Sequence, residues 1–91
     1  MITAATTVTR APGVLGEEVL GETVVLDPEA DRYARLNRSG GVLWTRLAHP
    51  ATVAELAEEL GTTFDIERDR ALADATSLVE QLAERGLVTL S

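Results

Sequence analysis

The 91-residue sequence contains no cysteine and no lysine, and only one residue each of tryptophan, tyrosine and phenylalanine. Without cysteine the chain has no disulfide, no thiolate metal ligand and no thiol nucleophile, which fits a reducing cytoplasm. Its aliphatic stretches, such as Val24–Leu26, are far shorter than the roughly 20 residues that span a bilayer. The N-terminus shows no basic region followed by an apolar one, so we expect no secretory signal and no membrane partner.

The net charge of −7 is uneven along the chain. Residues 1–50 carry five arginines and six acidic residues, whereas residues 51–91 carry three arginines and nine acidic residues. A protein that binds nucleic acid needs clustered positive charge to displace counterions from the phosphates. The acidic second half therefore argues against nucleic acid as a partner.

The length and an apolar content of 45% indicate one compact domain. Residues 1–13 are expected to form a flexible N-terminal arm with at most one edge strand, near Val8, and residues 14–91 the folded domain. A turn at Pro12-Gly13 separates the two. Three short strands are predicted after this turn, at Glu17–Leu20, Glu22–Asp27 and Arg32–Asn37.

From residue 38 onward the apolar residues recur with the period of a helix. Asn37 is expected to cap a first helix that ends near Ala48. The Thr-x-x-Glu pattern of Thr52 and Glu55 is typical of a capping box. It predicts a short second helix that stops at Gly61.

A third and longer helix is expected to be capped by Asp65 and ended by Gly86. Its buried stripe is predicted to contain Leu72, Ala75, Val79 and Leu82. The chain then closes as a short strand or extended tail. This order of elements indicates a small α+β domain of winged helix-turn-helix type, with an N-terminal three-stranded antiparallel sheet followed by three helices.

No set of residues in the sequence suits catalysis. The only histidine, His49, stands at a predicted helix end, and none of the serines lies in a Gly-x-Ser-x-Gly pattern. A calcium-loop pattern begins at Asp65, Glu67 and Asp69. It fails because Arg70 occupies the position that requires glycine. We therefore expect a non-catalytic protein with no cofactor and no metal ion.

The predicted hairpin favours peptide binding. Arg32 and Arg35 lie on its last strand. Arginine on an exposed strand edge protects against aggregation, and this protective role is by itself a sufficient explanation for the two residues. The same edge, with free backbone groups and small apolar side chains, is also suited to accept a peptide strand, and its charge favours an acidic peptide. A winged-helix regulatory protein is the alternative from a different class, although the helices that would read DNA are acidic.

Five pieces of the sequence, in this order and spacing, resemble one family. They are Val25-Leu26-Asp27-Pro28, Arg32-Tyr33-Ala34-Arg35-Leu36-Asn37, Leu43-Trp44, Thr52-Val53-Ala54-Glu55-Leu56 and Glu84-Arg85-Gly86-Leu87-Val88. Together they resemble the PqqD-like family, the recognition elements for precursors of ribosomally synthesised and post-translationally modified peptides (RiPPs). The chain departs from the family at Ala34, where an aromatic residue is usual.

The resemblance implies that the chain binds the leader segment of such a precursor, as a β-strand added between the third strand and the third helix. The docking strand would consist of Arg32, Tyr33, Ala34, Arg35 and Leu36, with Ala34 leaving room for a bulky leader side chain. The third helix is expected to contribute Asp69, Leu72, Ala73 and Thr76, which share one stripe of a helix. Leu72 fits core packing equally well.

The short, free-standing form is most similar to the leader-binding protein of lasso-peptide pathways. This likeness implies two further partners, a separate cysteine leader peptidase and a macrolactam synthetase. Within the same family, the alternative is a peptide chaperone for a radical SAM enzyme in redox-cofactor biosynthesis. Under either hypothesis the protein binds a peptide that other proteins then process.

Overall fold

Three helices and two small antiparallel sheets form the fold in the computed structural model, which describes residues 1–91. The strands are β1 (Thr7–Arg10), β2 (Leu15–Val19), β3 (Glu22–Asp27), β4 (Arg32–Leu36), β5 (Ala51–Thr52) and β6 (Val88–Leu90). The helices are α1 (Arg38–Arg46), α2 (Val53–Phe64) and α3 (Arg68–Glu84). The chain is therefore an α+β protein, as predicted. None of the three helices is long and apolar enough to cross a membrane.

Two consecutive hairpins build the first sheet, whose strand order is β2-β3-β4. A two-residue turn joins β2 to β3, and both its residues, Leu20 and Gly21, have positive φ angles of 53° and 83°. Turns of this kind match the twist of the strands they join. Residues 28–31 join β3 to β4, and the side chain of Asp27 accepts two backbone N–H groups of this turn. β4 lies at the edge of the sheet.

The second sheet has the order β5-β1-β6 and differs from the sequence prediction. Its central strand is β1, in which Val8 is fully buried between Ala51 and Leu90. The expectation of a flexible arm over residues 1–13 is therefore corrected, because Thr7–Arg10 form part of the folded domain. An edge strand near Val8 was the most that the sequence indicated, because both partners of β1 are distant in the sequence and its residues, threonine, valine and arginine, form no strong apolar pattern.

Local side-chain caps determine where α1 and α2 begin, as predicted. Asn37 accepts a hydrogen bond from the backbone N–H of Gly40 at 2.9 Å. Thr52 and Glu55 form the complete capping box, with distances of 2.8 and 3.1 Å. At its other end α1 stops at Arg46, slightly before the expected position.

The junction between α2 and α3 differs from the prediction. α2 continues through Gly61 to Phe64. Asp65, which was expected to cap α3, instead ends α2 in the left-handed conformation, with a φ of 52°. The residue before α3 is Glu67, whose side chain makes no capping hydrogen bond. Aspartate tolerates the left-handed region better than most residues, so it suits the end of one helix as well as the start of the next.

Gly86 ends α3, as predicted, with a φ of 70°. Its N–H donates to the carbonyl of Ala83 at 3.0 Å, and the N–H of Leu87 donates to the carbonyl of Leu82 at 2.9 Å. These two hydrogen bonds define a Schellman motif. They turn the fully buried Leu87 back into the core, so that β6 can pair with β1.

Eighteen buried residues form one hydrophobic core between the helices and the two sheets. Trp44 lies against β2 at Gly16, where any side chain would collide with the indole ring. The Arg10 guanidinium lies 4.3 Å from the centroid of that ring and donates to the Trp44 carbonyl. Partial burial lowers the pKa of Arg10. The side chains of α1 and β1 therefore hold the two sheets together.

Val8→Ala is expected to reduce the free energy of unfolding by about 2 kcal/mol, because it removes two buried methyl groups and leaves a cavity. Val19→Ala is the matched control, since it removes the same atoms from a side chain that is 48% exposed. That change is expected to cost less than about 0.5 kcal/mol. Chemical denaturation measures both, and equal losses would show that β1 is not part of the core.

Hydrogen bonds from the backbone and hydroxyl of Thr52 lower the pKa of the Glu55 carboxyl. A carboxyl whose pKa is lower in the folded state adds stability above its unfolded pKa, and that stability is lost as the pH falls through the folded pKa. Glu55→Gln keeps the capping shape but cannot ionise. Urea unfolding should show the wild type more stable than this variant near neutral pH, with the difference shrinking as the pH falls below about 4.3, the usual pKa of a free glutamate. A difference independent of pH would contradict the prediction.

Candidate functional site

A cleft of about 480 Å³ lies between β4 and α3. The end of β4 and the start of α1 contribute Arg35, Leu36, Asn37, Ser39 and Gly40 to its lining. α3 contributes Arg70, Asp74, Ser77, Leu78 and Gln81. Leu43 and Leu60 complete the lining. The α3 residues recur at the spacing of a single helical stripe. One wall of the cleft is thus a strand edge and the other is a helix face.

The free edge of β4 offers backbone hydrogen-bonding groups beside this cleft. Residues of an antiparallel strand alternate between those that bond to one neighbour and those that point the other way. Because the turn between β2 and β3 has two residues, the backbone N–H and C=O groups of Glu22 bond to β2. The alternation then directs the backbone groups of Val25, three residues later, to β4, where its partner is Ala34. The N–H and C=O groups of Tyr33 and Arg35 therefore point away from β3.

The side chains of β4 alternate between the core and the surface. Ala34 and Leu36 are each 5% exposed and belong to the core, whereas Arg32, Tyr33 and Arg35 are exposed. The Ala34 side chain thus lies under the sheet rather than on the cleft wall, which corrects the expectation that it leaves room for a leader side chain. Leu36 provides apolar surface in the cleft.

The four residues expected from α3 lie together, but on a different face of the helix. Asp69, Leu72, Ala73 and Thr76 border an open depression with Ser77 and Glu80, and none of the four lines the cleft beside β4. Leu72 is partly buried against the core. The expectation that these side chains face β4 is therefore corrected.

The correction has a simple geometric reason. The buried stripe of α3 consists of Ala71, Ala75, Val79 and Leu82. A polar face flanks this stripe on each side, and the spacing within each face is equally regular. The direction in which α3 crosses the sheet decides which face meets β4. Nothing local in the sequence records that direction, so Arg70, Asp74, Ser77, Leu78 and Gln81 were missed.

Two arginines bridge β4 and the C-terminal end of α3. Arg85 donates from Nη1 to the carbonyl oxygen of Tyr33 at 3.1 Å, and Arg32 donates from Nη1 to the carbonyl oxygen of Arg85 at 3.4 Å. The first bond occupies one of the outward-facing acceptors of β4. Neither guanidinium has a carboxylate oxygen within 4.0 Å.

The other charges around the cleft are paired. Arg35 forms an ion pair with Glu22 at 3.1 Å, and Arg70 lies 3.8 Å from Asp74. No group of three or more histidine, cysteine, aspartate or glutamate residues is placed to hold a metal ion. The cleft combines free backbone donors and acceptors, an apolar floor and a polar helix wall. This combination suits the binding of an extended chain.

Comparisons with known proteins place the chain in a described family. A family model described as coenzyme PQQ synthesis protein D (PqqD) matches residues 22–88. The structure described as TbiB1 in complex with the TbiA(β) leader peptide is similar, with a TM-score of 0.78 and 19% identity over 88% of this chain and 93% of that one. The structure described as lasso peptide synthetase B1 complexed with the leader peptide has a TM-score of 0.75 and 26% identity, over 90% and 96%. A comparison with curated protein sequences gives no significant match.

Hydrogen exchange of the free protein tests the assignment of the β4 edge. The amide of Ala34 is expected to exchange slowly because it bonds to Val25, and the amide of its neighbour Arg35 is expected to exchange fast because it points away from β3. Residue-resolved exchange by NMR measures both amides in one sample. Slow exchange at both positions would show that the edge is already covered.

Proposed function

The chain belongs to the PqqD family, and on this premise we propose that it is a non-catalytic protein that binds the leader segment of a ribosomally made precursor peptide. The observation that carries the proposal is the cleft between the free edge of β4 and one face of α3. Further support comes from the similar structure at 26% identity, which is a leader-peptide complex. Affinity for such a peptide would come from the backbone N–H and C=O groups of β4 that point away from β3.

In this proposal the leader lies along Arg32–Leu36 as a fourth strand of the first sheet. Its backbone groups pair with those of Tyr33 and Arg35, which point outward. Side chains alternate along an added strand, so every second leader residue would point into the cleft. There it would meet Leu36, Leu78 and the polar residues of α3.

We further propose that a separate leader peptidase and a macrolactam synthetase of lasso-peptide biosynthesis act on the bound precursor. The structural match covers 96% of the lasso peptide synthetase B1 chain, so the similarity in fold extends over nearly all of that structure. We propose the cytoplasm as the place of action, because a ribosomally made precursor is available there. The description of the family model favours a second candidate, a peptide chaperone for a radical SAM enzyme in redox-cofactor biosynthesis.

The proposal also treats the hairpin and the three helices as a winged helix-turn-helix arrangement that has no role in reading DNA. α2 carries Glu55, Glu58 and Glu59. Carboxylates at these positions repel the phosphates that a DNA-binding helix must approach. A regulatory protein of the winged-helix class is therefore the less favoured alternative.

Isothermal titration with the leader segment of a short precursor encoded beside this gene tests the proposal. We expect one peptide per protein chain and a dissociation constant of about 1 µM or lower, corresponding to roughly 8 kcal/mol of binding free energy. The class of precursor that binds, lasso peptide or cofactor precursor, separates the two candidate pathways. Absence of binding to every neighbouring precursor would contradict leader recognition.

Two neighbouring substitutions on α3 test where the peptide lies. Asp74→Trp places a large side chain in the cleft, and we expect it to weaken leader binding at least about tenfold. Ala73→Trp is the matched control, because Ala73 is exposed on the face of α3 that borders the other depression. We expect this control to change binding by less than about twofold. The opposite pattern would place the peptide on the face first predicted from the sequence.

A further inference from the structure

Arg32 and Arg85 lie where the start of β4 meets the C-terminal end of α3, outside the residues that line the cleft. They are held there by the backbone rather than by acidic side chains. Arg32 reaches across the end of α3 directly over Gly86, where an added Cβ would collide with its guanidinium. It donates to the C-terminal carbonyl at Arg85, at the end of the helix that favours positive charge. Both arginine side chains remain exposed to solvent.

These two guanidinium groups keep most of their hydrogen-bonding capacity free. Each has five N–H donors, and one nitrogen of each is engaged with a backbone carbonyl. Arg35 and Arg70, which line the neighbouring cleft, already have the carboxylates of Glu22 and Asp74 as partners. The junction of β4 and the end of α3 therefore carries two positive charges that have no carboxylate oxygen within 4.0 Å.

Arg85 occupies the position that an added strand must take. The carbonyl of Tyr33 points outward from β4, and a peptide strand would donate its own backbone N–H to this oxygen. The Arg85 guanidinium, which now donates to the same oxygen at 3.1 Å, then shares this oxygen with the peptide N–H or moves to another acceptor. A carboxylate on the arriving peptide gives Arg85 a charged acceptor, so that an ion pair replaces a hydrogen bond to a neutral oxygen. A neutral polar side chain offers only an uncharged acceptor, and the ammonium or guanidinium of a basic side chain offers none.

We propose that Arg32 and Arg85 form a carboxylate-binding subsite, which selects leader peptides that carry an aspartate or glutamate where the added strand passes Tyr33. This inference rests on the proposed leader binding. The pair sets the preferred register of the peptide, because only one alignment along β4 brings its acidic side chain to the two guanidinium groups. Main-chain pairing supplies affinity here, and the arginine pair supplies selection.

Selection from a phage library of random peptides tests the subsite. The peptides have about 12 residues, enough to extend beyond the strand edge at both ends. The wild type is expected to enrich peptides with aspartate or glutamate at one fixed distance from their apolar positions. The Arg32→Glu/Arg85→Glu double variant is expected to lose this preference and to favour lysine or arginine there. Arg68→Glu, a charge reversal at an exposed position outside the cleft, is expected to retain the wild-type preference.

Fluorescence anisotropy with one enriched peptide and its Asp→Asn form gives the magnitude. For the wild type, we expect the amide form to bind about three- to tenfold more weakly than the acidic form. For Arg32→Gln/Arg85→Gln, we expect the two forms to bind equally well. The milder double variant keeps the test decisive if the charge reversal prevents folding. An enriched set without acidic preference, or an equal Asp→Asn effect on both proteins, would overturn the subsite alone. Failure of the wild type to enrich any peptide would overturn leader recognition itself.

Discussion

The left-handed turn at Gly86 is the constraint on which the two halves of the structure depend. Its two hydrogen bonds end α3 and direct Leu87 into the core, and β6 then reaches β1. The absence of a side chain also gives the Arg32 guanidinium a place over the end of the helix. Two independent reasons require glycine at this position. One is its φ of 70°, and the other is the close approach of the Arg32 guanidinium. Packing of the core and the position of the Arg32 guanidinium therefore depend on one residue.

The edge of β4 serves two opposing requirements. A strand that is to accept a peptide must leave backbone donors and acceptors exposed, and the same groups invite pairing between copies of the protein. Charged side chains at Arg32 and Arg35 discourage that pairing without covering the backbone. The Arg85 side chain adds a partial and removable cover at Tyr33. The positions of the charges thus let the edge remain open while the protein is free.

Features of the fold that depend on neighbouring residues were predictable from the sequence, and those that depend on distant ones were not. Asn37, the Thr52–Glu55 pair and Gly86 act within a few residues of themselves, and their roles were correctly predicted. β1 gains its partners from residues more than 40 positions away, so its short polar sequence gave little sign of a strand. Asp65 satisfies the rules for two adjacent helix ends, and only the packing of α2 against α3 decides between them.

The same distinction explains the candidate site. The β4 strand that borders the cleft was located from its alternating pattern, because a hairpin is a local structure. The α3 residues expected to face β4 lie on another side of the helix, since both polar faces of α3 repeat with the same period. The direction in which α3 crosses the sheet comes from the whole core. A functional stripe on a helix is therefore harder to locate from one sequence than a functional strand.

The pairing of β1 with the last residues of the chain also affects how this domain can be joined to others. Thr7 and Ser91 exchange backbone hydrogen bonds of 2.9 Å in both directions, so the first strand begins beside the last residue of the domain. A domain with adjacent ends fits into a surface loop of a larger protein without forcing that loop apart. The architecture therefore permits the same unit to act as a separate protein or as an insertion within an enzyme.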